Sequence, residues 1–394
     1  MSFKKTLIYF LGWRLYLFFI AFFSSLFIQH FGNRFPYKEK VLEITNLPAW
    51  VWGFGNFDGV HYLRIAQNGY TAQFSQAFFP LFPLLIHFFT YLLKPLFGAS
   101  NLDTSIYTDP IYFYTGILLS NIFFLIAIYF FYKLIKIDYT EFVSFNSVIL
   151  LLTLPTAFYF GSIYTESLFF LLSVLAFYFM RKQNFLAAGA FSFLACFTRF
   201  LGIVLVVCLV VELITYFRTK GVSKNYLSIV KNFFGVLIAP LGLIIYMIYL
   251  KIDFNNSLYF LTAQPFFGAE RGNSIVLLPQ VFFRYLKILT SVSLKSFAFF
   301  NAFLEFTLTV GSLIFTLFSF KKIRLSYFIF SISCLMIPTL TGTLSSMPRY
   351  ALMIFLILPF LVQFSRKYLI YLYSILIILQ IILLSLFIRG YWVA

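Results

Sequence analysis

The feature that most limits how this chain can fold is the recurrence of apolar runs near the ~20 residues that a helix needs to cross a ~30 Å hydrocarbon core. Such runs occupy roughly 6–28, 111–132, 142–160, 166–181, 184–198, 200–217, 232–250, 297–320, 325–344, 349–365 and 368–388. Backbone groups in hydrocarbon must be satisfied within the chain, so the pattern predicts an all-α polytopic membrane protein with about eleven transmembrane helices. The shorter runs, 184–198 above all, cross only where they are nearly untilted, broken or in a locally thin bilayer. One further run, FFPLFPLLIHFFTYLLKPLFG (78–98), is read as not crossing. Its prolines leave a clean helix over 84–97, and ~14 residues at ~1.5 Å each reach only ~21 Å.

Charge gives these helices a direction. The chain is 62% hydrophobic yet has 29 basic against 12 acidic residues, a formal net charge of +17. That surplus lies in short connections: Lys4/Lys5, Lys133/Lys136, Arg181/Lys182, Arg218 to Lys231, Lys321/Lys322/Arg324 and Arg366/Lys367. This is the signature of cytoplasmic loops rather than of a nucleic-acid-binding stripe, so nucleic acid is excluded as a partner. The register holds only if 84–97 lies along the outer face as an interfacial or re-entrant helix. The N-terminus is then cytoplasmic, and the first apolar run, too long for a signal-peptide core, is a retained helix.

A single integral membrane domain over 1–394 follows, with 29–110 as a first extracytoplasmic loop containing interfacial helices and 251–296 as a second long one. Ser75 and Asn101, in the first loop, are expected to be reachable from outside. Cys196, Cys208 and Cys334 fall in apolar stretches, where small buried residues are expected rather than a disulfide framework or a metal site. His30, His61 and His87 are too scattered for a metal set, and no cofactor is called for.

Ionisable groups near a bilayer cost about 2.5–3.5 kcal/mol at a helix centre, so each needs a reason. On a helix starting near Phe57, Asp58 shares a face with His61 and Tyr62. It can be an N-cap or a functional carboxylate. Glu166 begins a span in GSIYTES, suited either to the helix dipole or to a role as a second acid facing Asp58. Arg199 in FTRFLG, Arg349 in SSMPRYALM and Arg271 in FFGAERGN are snorkelling cations or phosphate ligands. Glu305 and Glu212 lie within spans, as structural partners or as pathway residues.

In order, NFDGVHYLRIAQNGY, AFFPLFPLL, YTESLFFLL, ACFTRFLGIVLV and SMPRYALMIFLILPF resemble the PIG-V-type mannosyltransferases over about residues 50–360. That family includes the enzyme that adds the second mannose to the glycosylphosphatidylinositol core, and many bacterial relatives. The resemblance implies a GT-C hexosyltransferase fold and a polyprenyl-phosphate sugar donor used on the extracytoplasmic side. It also implies a lipid-linked or glycan acceptor, with Asp58 as the catalytic aspartate of the first outer loop. Phe57 departs from the tryptophan usual there.

On this reading Asp58 and Glu166 are the catalytic acids. His61, Tyr62, Arg64, Arg199, Arg271 and Arg349 bind substrate, membrane lipids surround the chain, and no protein partner is assigned. A polytopic lipid or solute transporter or flippase is the alternative, as is a non-catalytic scaffold. Transporters of this size typically carry internal repeats, and none is evident between the halves.

Overall fold

The computed structural model describes residues 1–32, 38–97, 102–220, 226–267, 271–272 and 274–393, and among these there are helices and no strand. The helices used below are α1 (Phe3–Phe27), α2 (Asp58–Asn68), α3 (Leu81–Phe97), α4 (Pro110–Ile135), α5 (Glu141–Thr153), α6 (Glu166–Arg181), α7 (Phe185–Thr198) and α8 (Ile203–Lys220). They continue with α9 (Tyr226–Ile238), α10 (Leu241–Phe254), α11 (Leu278–Ser291), α12 (Phe297–Ser319), α13 (Leu325–Thr339), α14 (Met347–Tyr350), α15 (Leu358–Phe364) and α16 (Leu369–Ile388).

Among the described residues seven helical stretches are long and apolar enough to cross a membrane: 3–27, 110–135, 200–219, 230–254, 297–319, 347–364 and 366–388. The chain is an integral membrane protein. The other expected crossings are shorter helices, α5, α6, α7 and α13. Helix α6 shows why a short helix suffices: every residue from Glu166 to Phe177 is buried. Protein rather than lipid surrounds it, chiefly α4 and α7, so its 16 residues need not match the hydrocarbon thickness.

Proline accounts for most departures from the expected boundaries. The run 142–160 is helical only to Thr153, because Pro155 follows, and a 3-10 turn at Ala157–Gly161 continues it. The carbonyls freed at the break are taken up from two other helices. Trp13 donates its indole N–H to Leu152 O at 3.1 Å, and the Gln380 amide donates to Leu152 O at 3.1 Å and Leu154 O at 2.8 Å. In hydrocarbon such groups have no water to turn to, so α1 and α16 are tied to α5 here. Pro240 likewise splits 232–250 into α9 and α10.

Helix α3 starts at Leu81, earlier than 84, because Pro83 stands in the first turn, where no intrahelical N–H bond is lost. His87 Nδ1 lies 2.7 Å from Ala66 O and docks α3 on α2.

Close helix crossings rely on glycine. A Cβ on Gly189 of α7 would lie 2.0 Å from the Gly235 carbonyl oxygen of α9, and one on Gly235 would lie 2.2 Å from Phe185 O. Without a strong hydrophobic drive between helices in lipid, such backbone approach carries the packing. The basic connections collect at one end of the bundle, where Asp138 meets Arg181 at 2.5 Å and Arg324 at 3.3 Å. Glu166 begins the helix that Arg181 ends, so the candidate site lies at the opposite end. Cys196, Cys208 and Cys334 are buried and free, as expected. Ser75 is buried as well, contrary to expectation, because the 3-10 turn it opens packs against the short helix Tyr259–Thr262, and Tyr246 donates its hydroxyl to Gln76 O of that turn at 2.7 Å. Asn101 lies outside the described residues.

Candidate active site

The segment that delivers Asp58 is held on both sides before the helix begins. The buried Asn56 donates its side-chain amide to Phe387 O at 2.8 Å and Ile388 O at 3.3 Å, closing the end of α16. Its own carbonyl accepts from Tyr164 Oη at 2.7 Å. Phe57 then takes φ 59°, ψ −112°, a conformation that costs a non-glycine residue energy and persists only where the surroundings enforce it. The Phe57 ring packs on Phe387 and Trp392. Asp58 is therefore the first residue of α2, not its cap, and its carboxylate is turned towards Arg349.

Arg349 arrives from the far end of the sequence. Ser346, at φ 70°, turns the chain into the single-turn helix α14, and Thr156 Oγ1 donates to Pro348 O at 2.8 Å. The guanidinium lies among the rings of Tyr159, Tyr164, Tyr350 and Trp392, 5.3–6.0 Å from their centroids. From there Nη1 donates to Asp58 Oδ2 at 2.5 Å, while Nε stands 3.3 Å from Glu166 Oε1. Arg199 Nη1 donates to that same Glu166 oxygen at 2.8 Å. The result is a chain of four charges, Asp58–Arg349–Glu166–Arg199. Desolvation of this kind is tolerable only when each charge is paired.

The two acids differ in access. Glu166 is buried behind the cluster and Arg199 stacks on Tyr350 at 5.1 Å. The Asp58 side chain keeps 23% exposure, and its Oδ1 is engaged by no described residue. Burial pushes the Asp58 carboxyl up. The charge and hydrogen bond of Arg349, helped by Arg271, outweigh this and hold it below the usual carboxylate value. Burial lowers the His61 pKa despite Asp58 beside it, which favours the neutral ring. His61 stacks on Phe78 at 4.9 Å.

A cleft of about 1910 Å³ opens over this cluster. Small-ligand sites run to ~300–1,000 Å³, so it has room for two substrates. Of the residues singled out in the sequence, Asp58, His61, Tyr62, Arg64, Arg199, Arg271 and Arg349 all line it, and Glu166 does not. Arg271 is placed differently from the other two arginines. It donates to Gln264 Oε1 at 2.5 Å and Ser346 Oγ at 3.2 Å, both neutral. Among the described residues no carboxylate lies within ion-pair distance of it. Trp392 and the Tyr159/Tyr164 wall carried no sequence signal beyond the tyrosine of YTES. Among the described residues there is no cluster of three His, Cys, Asp or Glu side chains of the kind that holds a metal.

A model of the mannosyltransferase (PIG-V) family matches residues 4–260, well over half of the chain. Among curated proteins none matches it. The matched stretch contains Asp58, Glu166 and Arg199, whereas Arg271, Glu305 and Arg349 lie beyond it. This chain belongs to the PIG-V mannosyltransferase family.

Proposed function

We propose that this mannosyltransferase-family member moves a hexose, with mannose the first candidate, from a polyprenyl-phosphate-linked donor to a hydroxyl of a lipid-linked or glycan acceptor. The reaction takes place at the extracytoplasmic face and inverts the anomeric carbon. The observation that carries the reading is Asp58: one oxygen is fixed by Arg349 and the other faces the cleft.

In this mechanism the bond from the anomeric carbon to the phosphate oxygen breaks while the acceptor oxygen bonds to that carbon from the opposite side. The electron pair leaves with the phosphate, and the hydroxyl proton passes to Asp58 Oδ1 as general base. A carboxylate with lowered proton affinity suits a late transfer, after the attacking hydroxyl has become acidic. Arg271, whose side chain donates to the neutral Gln264 and Ser346, is the first ligand for the departing phosphate, and Arg349 is close enough to Asp58 to share that charge.

Drawn towards an incoming phosphate, Arg349 would also loosen its hold on Asp58 and raise its basicity when the donor is bound. Glu166 and Arg199 position Arg349. The reading calls for no cofactor. Leu258, Leu261, Phe266 and Ile275 give the cleft an apolar, exposed margin that suits a lipid chain. The test is transfer from a polyprenyl-phosphate-mannose donor by the purified protein and by Asp58→Asn. Loss of about 10²–10⁴-fold in kcat is expected for removal of a general base. Undiminished transfer by the variant would remove Asp58 from the chemistry.

A further inference from the structure

The cleft contains a second carboxylate that the mechanism does not use. Glu305 projects from the membrane-spanning helix α12 and lines the same cleft as Asp58. Tyr285 of α11 donates its hydroxyl to Glu305 Oε2. The same hydroxyl lies 3.2 Å from Thr343 Oγ1 and accepts from the Leu344 N–H at 3.1 Å. Thus Oε2 is fixed through a tyrosine that is itself fixed by two groups of the loop leading to Arg349. Glu305 Oε1, by contrast, has no hydrogen-bond partner among the described residues, and the side chain is directed into the cleft.

Asn301, one helical turn before it on α12, lines the cleft too, with its amide donating to Trp392 O at 2.9 Å. Arg271 lies within electrostatic range of both Asp58 and Glu305.

A tyrosine staple alone does not call for a carboxylate, since a neutral acceptor would serve. An acid on a spanning helix costs about 2.5–3.5 kcal/mol, and leaving one oxygen uncommitted adds to that cost unless a ligand uses it. From this geometry, and resting on the mannosyl-transfer reading above, we propose that Glu305 is a sugar-recognition residue. Its Oε1 accepts hydrogen bonds from a vicinal diol of a hexose in the cleft, and Tyr285 is its positioning residue. The hexose is either the donor's sugar or the acceptor's, since both present such diols.

The test uses the full chain in detergent and follows intrinsic tryptophan fluorescence, Trp392 being in the cleft wall. Two probes are titrated, citronellyl-phosphate-mannose and octyl α-mannoside, together with their deoxy analogues. Glu305→Gln, nearly isosteric, is expected to weaken binding of one probe about 10- to 100-fold and to shrink the preference for diol over deoxy sugar. Weakening of the phosphate probe alone assigns the diol to the donor, and weakening of the octyl glycoside assigns it to the acceptor. Tyr285→Phe is expected to give a smaller loss of the same kind, which a purely structural role would not link to the deoxy sugars.

Unchanged affinities and deoxy preference in Glu305→Gln, or no binding of either probe by the wild type, overturn the proposal. If the wild type still transfers mannose and Asp58→Asn does not, the mannosyl-transfer reading survives that failure. Absence of transfer by the wild type removes both.

Discussion

Replacing Arg349 by methionine keeps much of its volume but removes the charge that joins Asp58 to Glu166. Arg349 is 7% exposed, Glu166 1% and Asp58 23%. Breaking a buried ion pair by deleting one partner costs ~3–5 kcal/mol. Glu166 retains Arg199 at 2.8 Å and Asp58 is open enough to rehydrate, so the lower end, ~3 kcal/mol, is expected. The sign of the pH dependence follows from Asp58. In the wild type its proton affinity is lowered, so the stabilisation is present above the ordinary carboxylate value of ~3.9 and is lost as pH falls through the folded-state value.

In Arg349→Met burial acts without its counterweight, so the Asp58 carboxyl rises above its ordinary value. The gap in Tm between the two proteins is therefore largest near neutral pH and narrows on acidification. Thermal unfolding in detergent at several pH values measures that gap. The acid limb of the pH–rate profile for sugar transfer reports the same group and should move to higher pH in the variant. An acid limb that stays in place or moves down, or a Tm gap that is constant with pH, would refute the assignment of Arg349 as the partner that sets Asp58.

Two further outcomes test the architecture. Gly189→Ala is expected to cost ~1–3 kcal/mol of stability, because its methyl would meet the Gly235 carbonyl oxygen at 2.0 Å. Gly12→Ala, whose added methyl meets nothing within 4 Å, should be neutral or slightly stabilising, and equal Tm values for the two would contradict the crossing. Cysteines placed at the exposed Gln73 and Gln183 should be labelled from opposite sides of the membrane by an impermeant reagent, since the native cysteines are buried. Labelling of both from one side would refute this arrangement, and labelling of position 183 alone from outside would reverse the proposed sidedness.

Much of the fold was legible because hydrocarbon leaves few options. A run of about 20 apolar residues must become a helix, and prolines and glycines mark where it breaks or is approached. The helix α3 was readable from its apolar run. Its start at Leu81 was not, because a first-turn proline reads as an interruption. Asp58 stood out as an acid beside aromatic residues. The sequence alone left it open whether Asp58 capped its own helix, since that depends on Phe57 adopting a positive φ under forces from α16.

Composition and periodicity thus determined a polytopic α-helical membrane protein, the order of its helices and the short list of expensive polar residues. Only the tertiary structure decided how those residues divide the work. It pairs Arg349 with Asp58 across 291 positions of sequence and sets Glu166 behind them with Arg199. It also sets Arg271 on the neutral side chains of Gln264 and Ser346 and turns Glu305 into the cleft. Solvation cost is a property of each residue and can be read along the chain, whereas charge pairing depends on distances between helices that no local pattern specifies.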